Sequence, residues 1–309
     1  MNESAIKTSG LTKYYRRQPV VDHLDIVIPK GSICGFLGRN GAGKTTTIKM
    51  LLGFTNPTAG CAEVLGCDST CLTPEIRKCI GYVTEGHRLF RWMTIKGLEN
   101  FQKSFFLEQW DGRFFNEMLE YFELSPQKKI KHLSNGQRAQ VSLALTLAPR
   151  PELLIMDDPT LGLDVVVRRQ FLDGMIALIV QEGRTVLFSS HILEDVERVC
   201  DRILVLDKGV LRANCTVSQF RQEIKKVEVQ FEHGVPGHFD IEGLIQQRVS
   251  SHRIEMILVG TSKEEIDQWM VAHEASQYAI VPLTLEEQFI AFTTTQKSRK
   301  LFRWEGIQH

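Results

Sequence analysis

Two adjacent carboxylates close the run LLIMDD, residues 153 to 158, and a proline follows at once. The four apolar residues ahead of them read as a buried strand that delivers Asp157 and Asp158 to the edge of a sheet. An acid pair placed there must hold a metal, take a proton, or be separated by its surroundings, because neighbouring like charges disfavour joint ionisation. A second stretch narrows the choice. GRNGAGKTTTIKMLLG, residues 38 to 53, follows the strand-like SICGFL and runs into a helix with apolar periodicity. Gly38, Gly41 and Gly43 let the backbone turn its N–H groups toward a phosphate, with Asn40 and Thr46 in the same cradle. Lys44 has the length to reach β- and γ-phosphates, and Thr45 can place its hydroxyl on Mg²⁺. This pattern predicts a nucleoside-triphosphate site. Asp157 then fits the carboxylate that holds the Mg²⁺ shell, and Asp158 takes a different role.

The elements that must position these groups follow from periodicity. Strand-like runs at 20–28, 32–37, 61–65, 79–83, 153–157, 185–189 and 203–206 alternate with helical patterns, which predicts an α/β sheet with its ligands beyond the carboxyl ends of the strands. From about 94 to 150 no strand is expected. Phe101, Phe105, Phe106, Trp110, Phe114, Phe115, Tyr121 and Phe122 fall there at spacings that predict a small helical core rather than an aromatic platform. Asp207-Lys208-Gly209 reads as a tight hairpin turn. Beyond it, KKVEVQFEH, RIEMILVG and QYAIVP predict strands, while DIEGLIQQRV and SKEEIDQWMVAHE predict helices, together a small α+β unit. LTLEEQFIAFTTT reads as a capped closing helix and QKSRKLFRWEGIQH as a mobile tail.

Composition sets outer limits. The 309 residues carry 37 Lys+Arg against 37 Asp+Glu, a balance that disfavours a dedicated nucleic-acid binder. No apolar stretch approaches the roughly 18 residues that span a bilayer, and the first thirty residues are charged throughout, so a cytoplasmic protein with at most a peripheral membrane role is expected. Of seven cysteines, Cys61, Cys67, Cys71 and Cys79 crowd together without a C-x-x-C pair; reduced, mostly buried thiols are expected there rather than zinc.

Between the cradle and the acid pair stands LSNGQ, residues 133 to 137. With it the sequence resembles the ATP-binding cassette (ABC) ATPases, whose signature is usually written LSGGQ, so Asn135 replaces a glycine. Tyr15 in LTKYY matches the adenine-stacking aromatic, IGYVTE the Q-loop region, LGLD the D-loop and His191 in SSH the switch histidine. The resemblance implies a P-loop NTPase cassette over residues 5–220 with a helical subdomain near 94–150, followed by a small α+β accessory domain over 225–295 and a tail over 296–309. It implies that ATP and Mg²⁺ are bound, and that Ser134, Gly136 and Gln137 face the ATP of a second cassette, so that two subunits, identical or not, close on two nucleotides. It further implies a separate transmembrane permease at the cytoplasmic face of a bacterial-type membrane, with export favoured by the EGHRLFRWMT segment and the appended C-terminal unit. RLFRWM suits a protein interface or a buried loop core equally. Two departures fall around the attacking water: Glu85 stands for the Q-loop glutamine, where it could face Mg²⁺ or water, and Asp158 for the catalytic glutamate. These leave open a nucleotide-gated regulator that hardly hydrolyses. An ABC ATPase acting on DNA or ribosomes is less favoured, because neither long coiled coils nor a tandem cassette is visible.

Overall fold

In the computed structural model, residues 3–237 and 240–294 are described, except for the side chains of 177–182. The chain divides into two compact units, Met1–Asn214 and Cys215–His309. The first opens with strands β1 (Ser4–Tyr15), β2 (Gln18–Leu24), β3 (Val27–Pro29) and β4 (Ile33–Leu37), then helix α1 (Lys44–Leu51). Strands β5 (Ala59–Val64) and β6 (Cys67–Asp68), helix α2 (Pro74–Lys78) and strand β7 (Ile80–Val83) lead to helices α3 (Ile95–Phe106), α4 (Gly112–Tyr121) and α5 (Asn135–Leu147). The unit ends with β8 (Leu153–Asp157), α6 (Val165–Glu182), β9 (Thr185–Ser190), α7 (Leu193–Val199), β10 (Arg202–Asp207) and β11 (Val210–Thr216).

Six strands form one sheet in the order β11-β10-β4-β9-β8-β7, and the pairs from β10 to β7 are parallel. Helices cover such a sheet on both faces, so its strands are apolar along their whole length. Every residue of β8 and β9 is accordingly buried. Register then does the positioning. Leu37 pairs with Ser190 and Ser189 with Asp157, so Gly38, Asp157, Asp158 and His191 emerge together at the carboxyl edge. The turn at Lys208-Gly209, both residues at positive φ (48° and 83°), is the expected hairpin.

The second sheet, β2-β1-β5-β6 with β3 beside β1, is antiparallel. Its longest strand, β1, had no counterpart in the sequence reading: SAIKTSGLTKYY is rich in Ser, Thr and Lys, and its alternation breaks near Gly10 (φ 53°), where the register shifts. The single strand expected over 20–28 is two, because β2 and β3 pair with different parts of β1. The cysteine expectation also fails in part. Cys61 and Cys71 are exposed and Cys67 and Cys79 half-buried, since β5 turns Ala62 and Val64 inward and Cys61 outward; no disulfide forms among the described residues.

Among the described residues the insert has no strand, and its aromatics split. Trp110, Phe114, Phe115 and Phe122 are buried, whereas Phe101, Phe105 and Tyr121 are exposed. Phe90 and Trp92 are 50% and 71% exposed, which removes the buried-loop alternative for RLFRWM. Phe90, Trp92, Phe101 and Phe105 form a surface chain of rings with centroids 5.1 to 6.2 Å apart.

The second unit holds α8 (Val217–Glu223), β12 (Ile224–Gln230), β13 (Leu244–Val249), β14 (Arg253–Val259), α9 (Lys263–Ala272), β15 (Gln277–Val281) and α10 (Leu285–Thr294). Its sheet runs β13-β14-β12-β15, antiparallel throughout, over a core that includes Val227, Phe231, Met256, Ile266 and Trp269. Within DIEGLIQQRV, Leu244–Val249 is therefore an edge strand and the run forms no helix. Gly243 (φ 80°) breaks the helical pattern, and a Cβ there would meet Val259 O at 2.2 Å, so the backbones approach too closely for any other residue. Its Gln-Gln-Arg run is tolerated because an edge strand need bury little. The expected tail lies outside the described residues. No helix among the described residues is long and apolar enough to cross a membrane.

Candidate nucleotide site

The cradle is built from glycines whose roles differ. A Cβ at Gly38 would meet Leu206 O, and one at Gly43 would meet Val20 O, each at 2.6 Å, so packing requires these two. Gly41 faces open space but sits at φ 81°, a conformation that L side chains rarely adopt. Gly43 caps α1 at φ 109°, so the first residue of that helix is Lys44. The Lys44 side chain is buried and its Nζ donates to Gly38 O at 2.7 Å. Burial pulls its pKa down, and Asp158, Asp157 and Glu85 act in the opposite direction. An ammonium with one carbonyl partner retains two N–H donors for an incoming anion.

Asp157, 2% exposed, accepts a hydrogen bond from Thr45 Oγ1 at 3.1 Å across 112 residues of sequence. Burial raises its carboxyl above the ordinary 3.8; Asp158 and Glu85 add to that, and the Thr45 hydroxyl opposes it. A buried acid held this way is stabilised by a cation. Two ligands at right angles around Mg²⁺, with bonds of about 2.0–2.1 Å, lie about 3 Å apart, so the Thr45 and Asp157 oxygens fit that ion.

Asp158 is placed differently. Its φ is 44°, and its Oδ1 accepts from the His191 backbone N–H at 3.2 Å and lies 2.8 Å from His191 Nδ1. A carboxylate only accepts, so Nδ1 carries the proton. This pairing had no signal in the sequence, because it depends on β8 and β9 being neighbours. Asn40, Gly41, Gly43, Lys44, Thr45, Thr46, Glu85, Asp158 and His191 line one cleft of about 330 Å³, together with Val20 and Leu161, which sequence reasoning missed. Val20 lies within β2, and nothing in that run marks it as lining a cleft.

The remaining expected residues lie elsewhere. Tyr15 ends β1 with an exposed ring and Lys13 Nζ 5.4 Å from its centroid; it is not among the residues lining the cleft. Nor are Ser134, Gly136 and Gln137, which open α5. There Ser134 Oγ accepts from Gln137 N at 3.1 Å, and Gln137 Oε1 accepts from Ser134 N and Lys128 Nζ, each at 3.2 Å. This reciprocal capping box occupies the Gln137 side chain, while the Ser134 hydroxyl keeps its proton to donate. A Cβ on Gly136 would meet Val167 Cγ1 at 2.5 Å, so α5 and α6 pack closely there.

A glycine cradle at the head of a helix, with a metal-fitting Thr–Asp pair beside a second acid, defines a P-loop nucleotide hydrolase. Residues 21–161 match the family model described as ABC transporter. The chain is 34% identical to an uncharacterised ABC transporter ATP-binding protein, YhcH of Bacillus subtilis (strain 168), over 99% of each chain. It is 34% identical to the bacitracin transport ATP-binding protein BcrA of Bacillus licheniformis, over 80% of this chain and 85% of that one. A solved ATP-binding subunit of an ABC transporter superposes with a TM-score of 0.65 at 26% identity, covering 71% of this chain and 92% of that one. A dimeric, post-hydrolysis ATP-binding cassette bound to ADP and Pi shares the fold, with a TM-score of 0.61 at 23% identity over 69% of this chain and 98% of that one. The chain belongs to the ABC transporter ATP-binding proteins and is an ATPase of the ABC type.

Proposed function

We propose that this chain hydrolyses Mg-ATP as one of two cassettes that close on two nucleotides and drive a separate transmembrane permease in the export direction, at the cytoplasmic face of the membrane. The observation that carries the reading is the Asp158–His191 contact of 2.8 Å at a cleft also lined by Lys44 and Thr45. The names of relatives support export: besides the bacitracin protein, a Nod factor export ATP-binding protein I of Mesorhizobium japonicum is 34% identical over 66% of this chain.

In this reading the backbone N–H groups of Gly41 and Gly43 and the Lys44 ammonium hold the β- and γ-phosphates. Thr45 and Asp157 would hold Mg²⁺, which supplies neutralising charge to the phosphates. Glu85, at the cleft wall, faces the metal or the water. Both His191 contacts fall on Asp158 Oδ1, so Oδ2 is left to take the proton of the attacking water. His191, oriented by that carboxylate, steadies the γ-phosphate through Nε2. Tyr15 stacks on adenine, and Ser134 and Gly136 of the second cassette meet the γ-phosphate with the positive end of α5.

The exposed rings of Phe90, Trp92, Phe101 and Phe105 are the proposed permease-facing surface, bordered by Arg91, Lys129 and Lys131 around Trp92. Aromatic anchors with arginine suit an interface. Replacing Phe90 and Trp92 together by Ala should release the subunit from membranes that contain its permease while leaving ATP affinity unchanged. Sedimentation of membranes with immunodetection checks this. Wild-type chain that never sediments with them contradicts the transport reading.

A further inference from the structure

The turn after Asp158 is gripped from two sides. His87 Nε2 lies 2.8 Å from Pro159 O, and since a carbonyl only accepts, Nε2 carries the proton and donates. The ring is 4% exposed and its centroid lies 6.3 Å from that of Phe171. Its other nitrogen, Nδ1, is buried without a hydrogen-bond partner, an unfavourable state for a ring nitrogen, so nothing polar except the Pro159 contact rewards a histidine at this position. On the other side Thr160 Oγ1 donates to buried Asp195 Oδ2 at 2.8 Å, and Asp195 Oδ1 lies 3.4 Å from Arg168 Nε. The two residues that follow Asp158 are thus each fixed by a buried hydrogen bond.

The backbone here is strained at His87 and at Asp158, the residue before its partner Pro159. His87 and Asp158 each sit at φ 44°, left-handed conformations that non-glycine residues hold only where their surroundings over-determine them, and such residues cluster at functional sites. Asp158 is also the residue that must reach the water with one methylene fewer than glutamate. A misplacement of about 1 Å costs about a hundredfold in rate, so the backbone must supply what the side chain lacks.

We propose that His87 is a positioning residue, which through Pro159 O holds the Asp158 backbone in its left-handed conformation and so brings the short carboxylate within reach of the attacking water. This rests on Asp158 being the base. His87 itself is buried and is not among the residues lining the cleft.

The test is steady-state phosphate release by the full-length protein. His87→Phe keeps a ring and removes the donor, whereas His87→Gln places an amide N–H where Nε2 donates. His87→Phe should lower kcat by about tenfold or more with the KM for ATP changed less than about twofold, and His87→Gln should recover most of the loss. In an Asp158→Glu background the same His87→Phe change should cost less than about threefold, because the longer side chain no longer needs the held backbone. His87→Met, of similar bulk and without a donor, replaces His87→Phe under the same criteria if the latter does not fold. Wild-type kcat in the donor-less variant, no recovery with Gln, or an equal loss in both backgrounds overturns the proposal. Asp158→Asn separates the two claims: wild-type turnover in that variant overturns the base assignment, whereas a dead Asp158→Asn beside a fully active His87→Phe overturns only the role of His87.

Discussion

Asp157 illustrates how a single buried group ties stability to ligand binding. Its folded pKa is raised, chiefly by burial, so folding favours its protonated form relative to the unfolded chain. A raised acid supports the fold at low pH, and that contribution is lost as pH climbs from the ordinary 3.8 through the raised value. In the proposed function, Mg²⁺ would compete with the proton for the same oxygen. We therefore expect Mg²⁺ to raise the melting temperature of the ATP-loaded protein strongly near neutrality and progressively less toward acid, and Asp157→Asn to flatten that dependence; thermal scans with and without Mg²⁺ across pH measure it. The Thr45–Asp157 pair was legible in the sequence, although 112 residues separate its members, because each belongs to a motif whose chemistry is local. The Asp158–His191 contact was not. Nothing in either stretch says which strand will lie beside which.

Elements show the same division. The runs that became β8 and β9 are wholly buried, and a continuous apolar segment between turns is the clearest strand signal that a sequence offers. Polar β1 and edge strand β13 escaped because their partners, not their residues, make them strands. Packing between helices was equally silent. Gly136 looked like part of a nucleotide-facing signature, yet it also lets α5 approach Val167 of α6, where an added Cβ would stand 2.5 Å from Cγ1. Gly136→Ala should cost about 1–3 kcal/mol through overpacking, read as a lower urea midpoint at unchanged m-value. Adding Val167→Ala should return part of it, and an undiminished cost in the double variant would place the defect elsewhere.

At the scale of the molecule, each unit has a core of its own. Truncation after Glu223 should leave a cassette that folds and binds ATP with an affinity within about threefold of the full chain, since domain boundaries carry few essential contacts; calorimetric titration checks this, and loss of binding would make the second unit part of the cassette. The central claim is that the cassette is an engine despite its short base. It is tested most directly by phosphate release from the assembled complex with its permease, comparing wild type with Asp158→Asn, Asp158→Glu and Asp157→Asn. The account predicts measurable wild-type turnover, none above background in Asp158→Asn, turnover similar or faster in Asp158→Glu, and a loss in Asp157→Asn that excess Mg²⁺ partly restores. Wild-type release indistinguishable from that of Asp158→Asn would contradict it and leave a nucleotide-gated binder in its place.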